Sequence, residues 1–304
     1  MKFLTLENGQ LGAVIDTQHG ASVVDLTAAS QSLGITFEYK TMVQLVAADD
    51  VTVEQVWALA EQAVNEGIAC RLLTDVKPLA PLPEPRRNII CLGKNYRAHA
   101  KEMAKKLGGN SSAGDAIPQH PIFFTKATTS VIGTGESIPA HREITDKLDY
   151  EAELAIIIGK TGKDISRQLA MEHVFGYTAL NDVRARDLQK NHLQWYRAKS
   201  LDGFAPMGPI VVHRSVMPTP ENIEIQCWVN GEQRQQATLD DLIFDIPSII
   251  ETLSAGATLL PGDIIATGTP AGVGMGFSPA RYLQPGDEVV VEITGAGRLV
   301  NSVA

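Results

Sequence analysis

The stretch Lys147-Leu148-Asp149-Tyr150-Glu151-Ala152-Glu153-Leu154-Ala155-Ile156-Ile157-Ile158-Gly159 carries more information than any other in this 304-residue chain. Successive side chains of a β-strand alternate between faces, so one face receives Leu148, Tyr150, Ala152, Leu154, Ile156 and Ile158. Asp149, Glu151 and Glu153 share the other face with Ala155 and Ile157. The strand runs into an all-apolar half, so its second face becomes buried. Two glutamates pointing one way at the mouth of a buried strand repel each other. Partly desolvated, they need a proton or a cation. Oxygen-only ligands select a hard divalent ion, Mg²⁺, Mn²⁺ or Ca²⁺, rather than zinc. Taken alone, the stretch equally suits a solvated strand edge with three carboxylates in water.

Outward from this strand, a second acidic segment places Asp182 directly after an apolar run, as a third oxygen ligand from a neighbouring strand. Arg184 and Arg186 follow it; their planar forks suit an anionic substrate group, or simple ion pairs with Asp182 or Asp187. A helix over 95–107 puts His99 and Glu102 at i and i+3, where they touch. A carboxylate beside an imidazole orients it and raises its basicity, as water activation requires; a surface pair is the plainer reading. Lys199 lies in a mostly uncharged stretch and suits either oxyanion stabilisation or a solvated loop. The run 262–276 is a strand followed by a glycine-rich loop without a Gly-Lys-Ser/Thr ending. It favours a small-anion site lined by backbone N–H groups and Thr269 over nucleotide binding. HExxH and Gly-x-Ser-x-Gly patterns are absent, which leaves zinc-protease and serine-hydrolase mechanisms without support.

The surrounding chain reads as α+β, predominantly β. Residues 2–16 form a hairpin turning at Asn8-Gly9, and a helix over 51–67 ends at Gly67. Four prolines between 77 and 85 mark an extended linker. The expected organisation is a small N-terminal α+β domain (1–76), a proline-rich linker (77–86) and a catalytic domain (87–304). A strand over 88–92 precedes the His99 helix, and a polar loop at 108–119 is long enough to act as a mobile flap. Short strands dominate thereafter, with helices around 170–174 and 246–255. The lack of regular β-α-β alternation argues against a doubly wound sheet. The net charge of −9 gives no overall field for nucleic acid or an anionic membrane, though local positive groups still bind small anions. Three widely spaced cysteines, Cys70, Cys91 and Cys227, fit reduced thiols and a cytoplasmic setting, with Cys91 in an apolar core run. The N-terminus lacks the apolar stretch of a signal peptide, and no run reaches membrane-spanning length.

The ordered set NYRAH (95–99), LDYEAEL (148–154), NDVRARDLQ (181–189), AKSLDGFAPMGP (198–209) and IIATGTPAGVG (264–274) resembles the fumarylacetoacetate hydrolase family from residue 87 to the C-terminus. The resemblance implies a mixed β-sandwich roll, usually dimeric. It implies Mg²⁺, or Mn²⁺ or Ca²⁺, on Glu151, Glu153 and Asp182, a His99–Glu102 base, and Lys199 beside the metal. It further implies Arg186, Gln189 and Thr269 at the substrate. The position seven residues before the histidine, where the larger fumarylacetoacetases have another metal-binding Asp, is Leu92. That is similar to the smaller acylpyruvate-hydrolase branch. The implied activity is metal-dependent hydrolysis of an acylpyruvate or related 2,4-diketo acid to pyruvate and a carboxylic acid. His99 then activates water for attack at C4, and the metal and Lys199 stabilise the pyruvate enolate. The same set of groups serves a 2-keto acid decarboxylase of the oxaloacetate type, or an enol–keto isomerase. A metal-stabilised binding protein without catalysis ranks behind both.

Overall fold

The computed structural model describes residues 1–18, 20–106 and 117–304. Most of the expected flap at 108–119, through residue 116, lies outside the described residues. The strand Ala152–Ile158 sits deep in a ten-stranded sheet. Across the sheet the strands run Cys70–Leu72, Gly20–Asp25, Leu11–Thr17, Lys2–Thr5, Val211–His213, Val174–Asn181, Ala152–Ile158, Ile264–Ala266, Ile89–Gly93 and Ile122–Lys126. Neighbours are antiparallel except Ile264–Ala266 and Ile89–Gly93, which run parallel. A second, four-stranded antiparallel sheet is built from Glu224–Val229, Glu232–Thr238, Glu288–Ile293 and Gly297–Ser302. It packs against Ala152–Ile158 and Val174–Asn181, giving the mixed, mostly β architecture expected.

The alternation in the central strand works as the sequence requires. Leu148, Tyr150, Ala152, Leu154, Ile156 and Ile158 enter one hydrophobic core, and Ala155 and Ile157 enter another on the opposite side. The second core also takes in Phe3, Leu11, Val24, Leu26, Val53 and Leu59 from the N-terminal hairpin and helices. Those helices start where short polar side chains cap them: Asp25 accepts from Ala28 N–H before Leu26–Leu33, and Asp49 from Thr52 N–H before Asp50–Glu66. The N-terminal hairpin continues the main sheet, because Lys2 and Phe3 pair with Val212 and Val211. The proline-rich stretch packs on the same hairpin: Leu79 N–H donates to Thr5 O at 3.0 Å and the Thr5 hydroxyl donates to Pro81 O at 2.7 Å. Residues before and after the expected linker at 77–86 therefore contribute strands to one sheet.

The expected helices at 95–107 and 246–255 are found as Arg97–Lys106 and Ile246–Ser254, and the segment near 170 is a single 3-10 turn, Ala170–His173. Among the described residues, no helix is long and apolar enough to cross a membrane.

Candidate active site

The central strand is shorter than its sequence pattern. The pairing stops after Leu148–Asp149 and resumes at Ala152, so Tyr150 and Glu151 form a break. Asp149 consequently leaves the two glutamates it was grouped with. It accepts from Gly274 N–H at 2.7 Å, Met275 N–H at 3.1 Å and Arg186 Nε at 2.7 Å. Those donors come from the glycine loop and from the segment after Asp182, neither of which strand alternation can anticipate. Glu151 is held at the break by its backbone: its N–H donates to Asn181 Oδ1 at 3.0 Å, and its carbonyl accepts from Asp182 N–H at 2.8 Å. Cross-strand pairing of Glu153 with Leu180 brings Glu153 to the same end of the sheet. One carboxylate oxygen from each of Glu151, Glu153 and Asp182 lies within 4.8 Å of the others, and all three residues are buried.

Four cations surround these acids. Lys199 Nζ donates to Glu151 Oε2 at 2.7 Å, to the Asp182 carbonyl at 3.1 Å and to Asp182 Oδ2. Arg184 bonds Glu151 Oε2 and, at 2.9 Å, Gln189 Oε1. Arg186 Nη2 donates to Glu151 Oε1 at 2.9 Å. Lys126 Nζ stands 2.7 Å from Asp182 Oδ1. The arginines thus pair with Asp149 and Glu151, not with Asp182 or Asp187. Burial pushes the Glu151 carboxyl up, but Arg184, Lys199 and Arg186 together outweigh it and hold it well below the usual carboxylate range. Glu153 goes the other way. Burial first, then the charges of Asp182 and Glu151, push it well above its ordinary value, against the charge of Lys199 and the Gly268 amide 2.8 Å from its Oε2. Gly268 is required there: its φ is +101°, and a Cβ would stand 2.8 Å from Asn95 Cβ.

These residues fit a divalent cation. Glu153 has no cation within ion-pair distance among the described residues, and Asp182 Oδ1, although beside Lys126, accepts no hydrogen bond. Three buried oxygens of this kind suit Mg²⁺ or Mn²⁺ chemistry better than zinc.

Arg184 and Arg186, which bond Glu151, also line a cavity of about 570 Å³ together with His99, Gln189 and Trp195; the three carboxylates and Lys199 do not line it themselves. His99 is buried, and its Nδ1 is 3.1 Å from Glu102 Oε2. Glu102 is itself fixed by Gly272 N–H, which donates to Oε1 at 3.0 Å. The helix Arg97–Lys106 is thereby tied to the glycine loop. Thr269 is buried beside these groups, and its hydroxyl accepts from Gln235 Nε2 at 2.8 Å. Gln235 also accepts from Ala152 N–H at 3.0 Å, linking the threonine to the strand that carries Glu153. Thr269 does not line the cavity.

Lys126 and Gln235 were missed by sequence reasoning. A lysine closing the apolar run Pro121-Ile122-Phe123-Phe124-Thr125 is a usable signal for the first, because buried strands seldom end in an unpaired cation. For Gln235 no local signal exists.

A buried carboxylate triad at one end of a mixed sheet, beside a basic cavity with a His–Glu pair, is the donor set of an enzyme able to hold a divalent cation. The chain belongs to the fumarylacetoacetate hydrolase family: the model for the C-terminal domain of fumarylacetoacetate (FAA) hydrolase matches residues 88–304. Among curated proteins, oxaloacetate tautomerase YisK of Bacillus subtilis is 45% identical, with 100% of both chains covered. Among solved structures, a fumarylacetoacetate hydrolase from Exiguobacterium antarcticum is 38% identical with a TM-score of 0.79, covering 100% of this chain and 99% of that one. Maleylpyruvate hydrolase from Sphingobium sp. SYK-6, in complex with manganese(II) and pyruvate, is 31% identical with a TM-score of 0.75, covering 100% and 99%.

Proposed function

We propose that the chain is a divalent-metal-dependent enol–keto tautomerase of a small 2-keto dicarboxylate, oxaloacetate being the first to test. The observation that carries this reading is the charge of the site. Four buried carboxylates, Asp149, Glu151, Glu153 and Asp182, face four buried cations, Lys126, Arg184, Arg186 and Lys199. With all of them ionised, a divalent cation leaves two positive charges uncompensated. A substrate carrying more than one negative charge, such as a dicarboxylate, suits that excess. Lys94, Lys147 and Lys190 also line the cavity and make no ion pair among the described residues. The full-length likeness to a named oxaloacetate tautomerase supports the reaction type over hydrolysis.

A divalent ion held by Glu151, Glu153 and Asp182, most simply Mg²⁺, would polarise the 2-oxo group. The rest falls to the protein. Glu102 occupies His99 Nδ1, which leaves Nε2 to take a proton from C3. The Lys199 ammonium supplies positive charge for the developing enolate oxygen. The oxygen is then protonated, so one proton changes place and no water is consumed. Arg186 has Nη1 left for a substrate carboxylate once Asp149 and Glu151 have taken Nε and Nη2. Gln189, with its carbonyl oxygen held by Arg184, offers its amide nitrogen. Thr269 orients through Gln235. The free cysteines suit a reducing, cytoplasmic compartment, and the family homodimer belongs to the same proposal.

The decisive assay follows the ultraviolet absorbance of the oxaloacetate enol with Mg²⁺ or Mn²⁺ present. Enol–keto exchange faster than the buffer rate, without pyruvate formation, is the expected result. Pyruvate and CO₂ from oxaloacetate would move the assignment to a decarboxylase. A hydrolytic reading stands second, favoured by the likeness to maleylpyruvate hydrolase and by a His–Glu pair suited to activating water. Pyruvate released from acylpyruvates, with oxaloacetate exchange at the buffer rate, would establish it.

A further inference from the structure

Lys126 is the last residue of the strand Ile122–Lys126, at the edge of the main sheet, and its side chain is fully buried. It does not line the substrate cavity. Its ammonium has three protons and three oxygen neighbours. It donates to the Val183 carbonyl at 2.9 Å and to the Lys199 carbonyl at 2.6 Å, and it stands 2.7 Å from Asp182 Oδ1. Those oxygens belong to segments that are distant along the chain. Asp182 and Val183 follow the strand Val174–Asn181, whereas Lys199 ends the short helix Tyr196–Lys199. A neighbouring contact strengthens the same junction: Ala127 N–H donates to Ser200 Oγ at 3.0 Å.

We propose that Lys126 is a positioning residue, fixing the Asp182 carboxylate and the Lys199 backbone in one geometry so that both face the metal site. The inference rests on reading Glu151, Glu153 and Asp182 as that site. The Asp182 carboxylate has its rotation restrained by the charges on either side of it, Lys126 beside Oδ1 and Lys199 on Oδ2, and outer groups of this kind strongly affect metal affinity. Lys199 is short of such restraint from its own element, since Tyr196–Lys199 is a single turn. The tie to its carbonyl supplies it from the sheet edge.

Two physical roles for Lys126 predict opposite signs. As a mere neutralising charge it opposes a second cation, so its removal tightens metal binding. As a positioning group its removal loosens it. The experiment titrates Mn²⁺ alone, by calorimetry and by the paramagnetic resonance of free Mn²⁺, into the wild-type chain, Lys126→Met and Lys126→Gln. Melting temperatures and far-ultraviolet circular dichroism of the metal-free proteins provide the control for folding. The expected result is Mn²⁺ affinity lower by about 10- to 100-fold in folded Lys126→Met. At saturating Mn²⁺, kcat remains reduced by about tenfold or more while KM stays within about threefold, because Lys199 has lost its tie. Unchanged or tighter Mn²⁺ binding in a folded variant overturns the proposal. Failure of both variants to fold makes Lys126 a stability residue and overturns it as well. A wild-type chain that binds no Mn²⁺ overturns this proposal together with the metal site, which distinguishes the two failures.

Discussion

At the residue scale, the site depends on acids with unequal partners. Glu151 has three cations in contact, whereas Glu153 has one backbone amide. Glu153→Gln is therefore expected to abolish Mn²⁺ uptake while leaving the metal-free protein as stable as wild type or more so, since a buried repulsive charge is removed. Calorimetric titration and melting curves check both halves. His99→Ala is expected to spare Mn²⁺ affinity and to lower kcat by about 10²- to 10⁴-fold. A variant exchanging or cleaving substrate at full rate would require another base. The acids and the histidine were legible because chemistry of this kind needs particular residue types in short motifs. Asp149 was misgrouped because its donors, Gly274 and Met275, lie more than a hundred residues away in the chain and leave no mark on its own strand.

At the scale of elements, periodicity gave the central strand its two faces, and the cores divide along them. Ile156→Ala, which opens a cavity on one of those faces, is expected to cost about 2–5 kcal/mol in denaturant unfolding. The sheet order was not legible, because pairings between distant segments carry no local pattern. The strand Val211–His213 shows this: it pairs on one side with Lys2–Thr5 of the N-terminal hairpin and on the other with Val174–Asn181. It also brings a buried histidine to the joint. Burial, then the charge of Arg214, pulls His213 down to about 4 against the attraction of Asp50, with the nearby N-terminal amine adding to the depression. Phe175 packs edge-on against its ring at 5.1 Å. The unfolded chain takes up this proton near pH 6.5 and the folded chain only near 4, so stability is full above pH 6.5 and declines as pH falls toward 4. The loss amounts to at most about 3 kcal/mol. His213→Gln is expected to flatten the melting temperature between pH 7 and 4.5; an unchanged slope would assign the acid sensitivity elsewhere.

At the scale of the whole molecule, the net charge of −9 conceals a local reversal, since the cavity presents three lysines without ion pairs among the described residues. A metal at a hundred times its dissociation constant contributes about 2.7 kcal/mol, which in a chain of this size raises the melting temperature by about 4 °C. A dicarboxylate should add to that shift, and a monocarboxylate of equal length should add less. Thermal-shift titrations rank the two. The core shared by Phe3, Leu11 and Val53 with Ala155 and Ile157 has one further consequence. The strand bearing Glu153 at one end is gripped by N-terminal side chains nearer its other end. Deuterium uptake should therefore slow on Mn²⁺ addition not only around Glu153 but also at the amides of Leu11–Thr17, so that the N-terminal hairpin reports on occupancy of a site it never touches.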